Sequence, residues 1–171
     1  MLTIRQGNLL DSDAEALVNA VNTLGVMGKG IALAFRQAYP ENHARYRAAC
    51  ASGNVRLGRV FLYDSGRLGP RRYVINFPTK GHCQTTSRLS DIEAGLHHLA
   101  RVVRDLEIMS LAIPPLGCGN GGLDWADVRP AIESAFHDLP EVQVYLYPPS
   151  GQRKAAGQRR SIRQLWGRGR S

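Results

Sequence analysis

Three segments of this chain combine glycine, asparagine and lysine in a way that suits the binding of a phosphorylated ligand. The first, at 22–30, reads Asn-Thr-Leu-Gly-Val-Met-Gly-Lys-Gly, and the second, at 116–122, reads Leu-Gly-Cys-Gly-Asn-Gly-Gly. The third is Lys80, which ends the run Tyr-Val-Ile-Asn-Phe-Pro-Thr-Lys at 73–80. Glycine allows backbone N–H groups to approach a phosphate closely. Two such loops therefore predict a ligand with more than one phosphate.

Lys80 stands out because the chain has 19 arginines and only three lysines, which are Lys29, Lys80 and Lys154. Lysine changes its pKa readily on burial and can react as an amine, whereas arginine does neither. A lysine on the surface after a strand is the ordinary alternative. The scarcity of lysine in this sequence favours a chemical role for Lys80.

Cys118 lies inside the second loop and is a further candidate nucleophile, although nothing in the sequence predicts a lowered thiol pKa. The three cysteines, Cys50, Cys83 and Cys118, have no metal-type spacing and leave an odd number for disulfide pairing. We therefore expect reduced thiols in the cytoplasm, no metal ion and no cofactor. No apolar run reaches the roughly 18 residues that a membrane-spanning helix needs.

Alternating strands and helices are predicted to position these segments. Strand-like runs occur at 2–5, 16–19, 60–63, 73–77, 109–113 and 142–147, and helices are predicted at 30–39, 41–51, from residue 90 to about 106, and from Asp124 or Asp127 to about 139. This order predicts an α/β fold with a mixed, mostly parallel sheet that helices cover on both faces. In such a sheet, the loops that leave the carboxyl ends of the strands meet in one ligand-binding crevice.

The helix that begins near Ser90 has the clearest pattern. Ser-Asp-Ile-Glu at 90–93 has the form of a capping box. The apolar residues that recur behind it at helical spacing are expected to face a core, and they are Ile92, Leu96, Leu99, Val103 and Leu106. In the next helix, Pro130 suits the first turn better than the interior.

The charge of the chain is unevenly distributed. Residues 1–149 carry 15 basic and 14 acidic side chains, and the other seven basic residues all lie in 150–171. Residues 1–149 are therefore predicted to form one domain, and 150–171 a basic tail that is disordered because it has few bulky apolar residues. The tail could be a phosphate-binding arm, but a solvated linker or a piece of a longer protein is favoured.

Several motifs together resemble the macrodomain family, over roughly residues 1–148. They are Gln-Gly-Asn-Leu-Leu at 6–10, Ala-Leu-Val-Asn-Ala-Val-Asn at 16–22, the first glycine loop, and Pro-Leu-Gly-Cys-Gly at 115–119. The first loop and Asn-Phe-Pro-Thr-Lys at 76–80 are similar to the branch that contains the terminal ADP-ribose glycohydrolases. Within that branch they resemble antitoxins that remove ADP-ribose from thymine in DNA. The resemblance implies a three-layer α/β/α macrodomain that binds ADP-ribose.

The resemblance also implies a role for each site residue. Lys80 and Asn22 would be the catalytic residues, with Asn22 in contact with the distal ribose, and Asn8 and Leu9 would lie by the adenine. The diphosphate and its ribose would be held from two sides, by Gly28, Lys29, Gly30, Ile31, Ala32, Pro78 and Thr79, and by Gly117, Cys118, Gly119, Asn120, Gly121, Gly122 and Leu123. Protein-directed members of the branch have a catalytic Asp at the position of Gly121, so their acid–base chemistry does not transfer directly.

The leading hypothesis is a hydrolase that cleaves ADP-ribose from a nucleobase in DNA, with thymine as the first candidate. Its partners would be ADP-ribose, ADP-ribosylated single-stranded DNA and the cognate toxin. Lys80 would act either as a neutral amine or as a cation that stabilises the leaving base. Two alternatives stay open, namely a module that binds ADP-ribose without cleaving it, and a hydrolase acting on ADP-ribosylated Asp or Glu of proteins.

Overall fold

A six-stranded sheet forms the centre of the molecule in the computed structural model, which describes residues 1–82 and 84–151. The strands are β1 (Leu2–Ile4), β2 (Ala16–Asn22), β3 (Phe61–Asp64), β4 (Tyr73–Lys80), β5 (Ser110–Ile113) and β6 (Gln143–Leu146). They lie in the order β1-β6-β5-β2-β4-β3, and every neighbouring pair is parallel except β3 with β4. The mixed, mostly parallel sheet is confirmed. The predicted tail, from residue 152 onward, lies outside the described residues.

Four helices cover the two faces of the sheet. They are α1 (Gly30–Ala38), α2 (Pro40–Ala51), α3 (Leu89–Asp105) and α4 (Trp125–Ala135). Side chains of α3 and α4 share one core cluster with one face of the sheet, whereas Phe35 of α1 and Tyr46 of α2 are fully buried on the other face. This arrangement gives the three layers that the sequence predicts. None of the helices in the described ranges is long and apolar enough to span a bilayer.

The start of α3 differs from the predicted capping box. The helix begins at Leu89 with Arg88 as its N-cap, and no side chain caps it, so Ser90 already lies inside the first turn. Leu89 packs against the core cluster, and the N-cap lies at Arg88, two residues earlier than the Ser90 of the capping pattern. Ile92, Leu96, Leu99 and Val103 are buried as expected, but Leu106 is 39% exposed because the helix ends before it.

Pro130 lies in the interior of α4, which corrects the prediction that it belongs to the first turn. The helix begins at Trp125, and the side chain of its N-cap, Asp124, accepts a hydrogen bond of 2.9 Å from the Ala126 amide. Proline has no N–H to donate to the carbonyl four residues earlier, which here belongs to Ala126. Both residues are exposed, so water can serve that carbonyl and the helix continues.

The path that the chain takes on leaving β2 and β4 opens a crevice at the carboxyl ends of the central strands. β2 lies between β5 and β4, and the chain leaves it through α1 and α2 on one face, whereas β4 connects to β5 through α3 on the other face. Connections that depart to opposite faces leave a crevice at the carboxyl ends of the strands between them. The two glycine loops and Lys80 all follow or end these three strands.

Three buried asparagines tie α2 to the sheet below this crevice. Asn19 of β2, Asn42 of α2 and Asn76 of β4 are each 0% exposed. The Asn76 amide donates to the Asn42 side-chain oxygen at 2.7 Å, and its own oxygen accepts from the Asn19 and Asn42 amides at 3.2 Å each. Because α2 supports the first glycine loop, this polar cluster helps to fix the position of that loop.

Replacing Asn42 by alanine is expected to lower the free energy of unfolding by about 1–3 kcal/mol, because it removes two buried hydrogen bonds of the Asn76 side chain. Urea denaturation measures this loss. Asn54, whose side chain is exposed and donates to the Ser52 hydroxyl, provides the matched control. Asn54→Ala should change the stability by less than about 0.5 kcal/mol. Equal losses for the two variants would contradict a structural role of the buried cluster.

Candidate functional site

A cleft of about 460 Å³ opens at the carboxyl ends of β2, β4 and β5. Its walls come from both glycine loops, the first turn of α1, the end of β4 and the segment that follows β5. The lining residues are Ala20, Val21, Asn22, Val26, Gly28, Lys29, Gly30, Ile31, Ala32, Thr79, Lys80, Gln84, Pro114, Pro115, Gly117, Gly119, Asn120 and Gly121. The structure therefore brings the three segments with candidate chemistry to one place.

Most of the predicted site residues lie in this lining, and a few do not. Those outside the lining are Asn8, Leu9, Pro78, Cys118, Gly122 and Leu123. Leu9 is 4% exposed in the core beside α1, and the Asn8 side chain accepts from the Leu10 amide at 3.1 Å, where it caps a short 3₁₀ turn. The roles assigned to these six residues stay predictions.

Six lining residues were not among the predicted ones. Pro114 and Pro115 directly follow β5, and Ala20 and Val21 lie in the last three residues of β2, so the strand-end rule could have indicated them. Val26 lies inside the first loop. Gln84 has no sequence signal, because it reaches the cleft through a local turn in which its amide donates to His82 Nδ1 at 3.1 Å.

A register shift at the end of β4 places Lys80 beside Asn22. The pairing of β2 with β4 runs regularly to Val21 and Pro78, and then Asn22 pairs with Lys80. Thr79 is thus the additional residue, and its hydroxyl donates to the Val21 carbonyl at 3.3 Å. A bulge of this kind re-aims the side chain that follows it. Lys80, rather than Thr79, is therefore opposite Asn22 at the cleft.

The Asn22 side chain organises the first loop. Its oxygen accepts from the amides of Leu24 and Val26 at 3.1 and 3.2 Å, and its Nδ2 donates to the Val26 carbonyl at 2.9 Å. Asn22 is 7% exposed, so these bonds are shielded from water. One amide hydrogen is left for a ligand, because Nδ2 carries two. The main structural role of the Asn22 side chain is therefore to hold the backbone of the first loop in its conformation.

The second loop is closely packed on the segment before α3. The Ser87 amide donates to the Gly121 carbonyl at 2.9 Å, and the Leu123 amide donates to the Gly117 carbonyl at 2.9 Å. Gly117 has a φ of +72°, which favours glycine. A Cβ on Gly121 would overlap the Ser87 hydroxyl and lie 2.5 Å from the Gly117 oxygen. The space at Gly121 therefore accommodates no side chain.

The electrostatics of the cleft are simple. Among the described residues, Lys29 and Lys80 are the ionisable side chains in its lining, and no described carboxylate or cysteine belongs to it. Burial, together with the Asp124 carboxylate, raises the pKa of the Cys118 thiol to about 11. A thiol with such a pKa is a poor nucleophile at neutral pH. The described part of the chain also contains no group of three or more His, Cys, Asp or Glu side chains that could hold a metal ion.

The raised pKa of Cys118 predicts slow alkylation. At pH 7 the thiolate fraction should be on the order of one in ten thousand, and the rate with iodoacetamide should rise about tenfold per pH unit up to pH 10. Mass spectrometry of the peptide that contains Cys118 follows this reaction. The Cys50 peptide is the internal control, since burial raises that pKa as well. Rapid, pH-independent alkylation of Cys118 would show that its thiolate is stabilised in a way that the structure does not contain.

Comparison with known proteins gives a consistent result. The Macro domain family profile matches residues 18–132. A curated protein of Mycobacterium tuberculosis, named DNA ADP-ribosyl glycohydrolase, is 51% identical over 168 residues, which cover 98% of this chain and 48% of that protein. The chain thus spans about half the length of the curated relatives it matches.

Two solved structures are also similar. The macrodomain of Mycobacterium tuberculosis DarG has a TM-score of 0.86 and 53% identity, over 88% of this chain and 99% of that one. Thermosipho africanus DarTG in complex with ADP-ribose has a TM-score of 0.83 and 32% identity, over 90% of this chain and 43% of that one.

Proposed function

The chain belongs to the macrodomain family, and on that premise we propose that its cleft binds ADP-ribose and hydrolyses the bond joining ADP-ribose to a nucleobase of DNA. The name of the Mycobacterium tuberculosis relative, DNA ADP-ribosyl glycohydrolase, supports this activity. Proposed partners are ADP-ribose, ADP-ribosylated single-stranded DNA and a cognate toxin of the DarT type. The Thermosipho africanus relative, named as a fusion of a DNA ADP-ribosyl transferase with the glycohydrolase, supports the last of these. A cytoplasmic location stays a prediction.

The observation that carries the proposal is that both glycine loops and Lys80 border one cleft. The first N–H groups of α1 have no partners within the helix and point toward an anion at its N-terminus. Gly30, at that terminus, has a φ of +53° and open space where a Cβ would be. The second loop faces it across the cleft. A diphosphate between the loops would deliver the distal ribose toward Asn22 and Lys80.

Lys80 is the residue that can supply the chemistry. Glycosidases generally use two carboxyl groups, one on each side of the bond that is cleaved. The described residues of the cleft lining include none, and the overlap at Gly121 excludes an Asp, unless the loop moves, at the position where protein-directed relatives carry theirs. Lys80 therefore has to act either as an amine or as a cation.

The two roles of Lys80 differ in where the protons go. As a neutral amine, Nζ would add to the anomeric carbon as the C–N bond to the base breaks. One amine proton would pass to the base. The other would pass to the ring oxygen as the bond between that oxygen and the anomeric carbon breaks, and water would then hydrolyse the resulting imine to free ADP-ribose and lysine. As an ammonium, Nζ would donate a hydrogen bond to a carbonyl of the leaving base while water attacks the anomeric carbon, and one proton of that water would pass to the departing base.

Thymine in single-stranded DNA is the proposed substrate. A thymine that is linked through its ring nitrogen leaves as an anion shared between two carbonyl oxygens, which suits a cationic residue next to the bond. A base in a single strand can enter a pocket without the cost of unstacking and unpairing. This proposal goes further than the names of the relatives, which state DNA but no base.

The substrate class is tested by release of ADP-ribose from two substrates in parallel. One is single-stranded DNA modified on thymine, and the other is a peptide modified on an acidic side chain. We expect release from the DNA and none from the peptide. Release from the peptide alone would assign the activity to proteins. Binding of ADP-ribose without release from either substrate would make the domain a binding module.

A further inference from the structure

The first glycine loop presents two apolar side chains to solvent beside the cleft. Leu24 is 48% exposed and Val26 is 51% exposed, and Val26 also lines the cleft. Burial of apolar surface is favourable, so a pair of exposed apolar side chains at the mouth of a binding cleft is a candidate contact surface for a partner. We call residues 24–26 the apolar rim.

The apolar rim is held rigidly rather than left as a mobile loop. The Asn22 side chain bonds the backbone of Leu24 and Val26, and the Asn22 carbonyl accepts from the Tyr46 hydroxyl at 2.7 Å. Gly25 has a φ of +79°, and a Cβ there would lie 3.1 Å from the Cα of Arg47. These contacts hold the backbone of the rim against α2.

Cationic side chains lie on both sides of the apolar rim. Lys29 follows it on the side of the cleft, and Arg47 of α2 lies directly beside Gly25. Both are exposed, and neither pairs with a carboxylate of the described residues. Arg45, two residues away, differs because it pairs with Glu41 at 2.6 Å. An apolar surface between two available cations matches a nucleic acid strand, in which bases alternate with phosphates.

We propose that the apolar rim binds the single strand that carries the modified base. This inference depends on the proposed function, because it places the modified base in the cleft. Leu24 would pack against the neighbouring base, as apolar side chains do when they contact nucleobases. Arg47 and Lys29 would neutralise the flanking phosphates. The domain would then recognise a DNA strand as well as ADP-ribose.

The test compares two ligands, an ADP-ribosylated thymidine nucleoside and a short single-stranded oligonucleotide with the same modification. Binding is measured by fluorescence anisotropy in a Lys80→Ala background, so that the result does not depend on turnover. The oligonucleotide should bind more tightly than the nucleoside. Leu24→Ser should raise the Kd for the oligonucleotide by about fivefold, as expected for exposing part of a leucine side chain. The Kd for the nucleoside should not change.

Arg47→Ala should weaken binding of the oligonucleotide and reduce the slope of log K against log salt by about one unit. Leu68→Ser is the matched control, because Leu68 is 91% exposed and lies near the opposite end of β4. It should change neither Kd.

Two outcomes would overturn the inference. One is that the protein with the unsubstituted rim binds the nucleoside and the oligonucleotide with equal affinity. The other is a Leu24→Ser effect that is absent or the same for both ligands, as expected if the rim contacts a protein or merely supports the cleft. A failure of the proposed function would look different. In that case the protein with Lys80 intact would release no ADP-ribose from either ligand, whatever the affinities.

Discussion

Replacing Lys80 by alanine is expected to slow release of ADP-ribose from modified DNA by about 10²- to 10⁴-fold, the range typical for loss of a residue that takes part in proton transfer. The Kd for free ADP-ribose should change by less than about threefold, because the proposed diphosphate contacts come from the two glycine loops and not from Lys80. Single-turnover release rates and calorimetric titration measure the two quantities separately. Retention of more than about one tenth of the rate would remove Lys80 from the chemistry.

Lys80→Arg distinguishes the two roles of the side chain. Arginine keeps the positive charge but cannot add to the anomeric carbon as an amine. If Lys80 stabilises the leaving base as a cation, the arginine variant should retain a measurable part of the activity. If Lys80 forms an imine, the arginine variant should be as slow as Lys80→Ala, and borohydride should trap ADP-ribose covalently on Lys80 of the unsubstituted protein.

Replacing Gly121 by alanine is expected to weaken binding of ADP-ribose at least about tenfold and to lower the free energy of unfolding by about 1–3 kcal/mol. The reason is the overlap of a Cβ at this position with the Ser87 hydroxyl and the Gly117 carbonyl oxygen. Relief of that overlap requires movement of the loop backbone that lines the cleft. Calorimetric titration with ADP-ribose and urea denaturation measure the two effects.

Gly119→Ala provides the control for Gly121→Ala. Gly119 lies in the same loop and also lines the cleft, but a Cβ there would have no atom within 4 Å. The free energy of unfolding of the Gly119→Ala variant should lie within about 0.5 kcal/mol of the value for the unsubstituted protein. The Gly121→Asp variant should not release ADP-ribose from proteins, because the loop cannot accept the aspartate side chain without moving. A Gly121→Ala variant that folds and binds normally would show that the loop is less tightly packed than the structure indicates.

The sequence predicts the layers and the place of the site because both depend on local pattern. β2 and β4 are buried on both faces, and such strands are nearly continuous apolar runs that are visible in sequence. The two glycine loops and Lys80 follow or end strands of one parallel sheet, so the strand-end rule brings them together. Their convergence on one cleft needed no information beyond the order of the elements.

Other features depend on contacts between distant parts of the chain. The register shift at Thr79 arises where β2 and β4 pair, and neither strand alone indicates it. Leu89 starts α3 because it packs on the core, although the local pattern favoured a start at the capping box. Pro130 is tolerated inside α4 because the carbonyl it leaves unpaired belongs to an exposed residue. In each case a tertiary contact or exposure to water overrides the local signal.

The central claim is that the two glycine loops and Lys80 form one site around ADP-ribose, and a crystal structure of the domain with ADP-ribose bound tests it most directly. The predicted result has the diphosphate between Gly28–Ala32 and Gly117–Gly121, and the anomeric carbon of the distal ribose facing Lys80 Nζ. ADP-ribose bound outside this cleft, or bound with its adenine at Lys80, would contradict the claim.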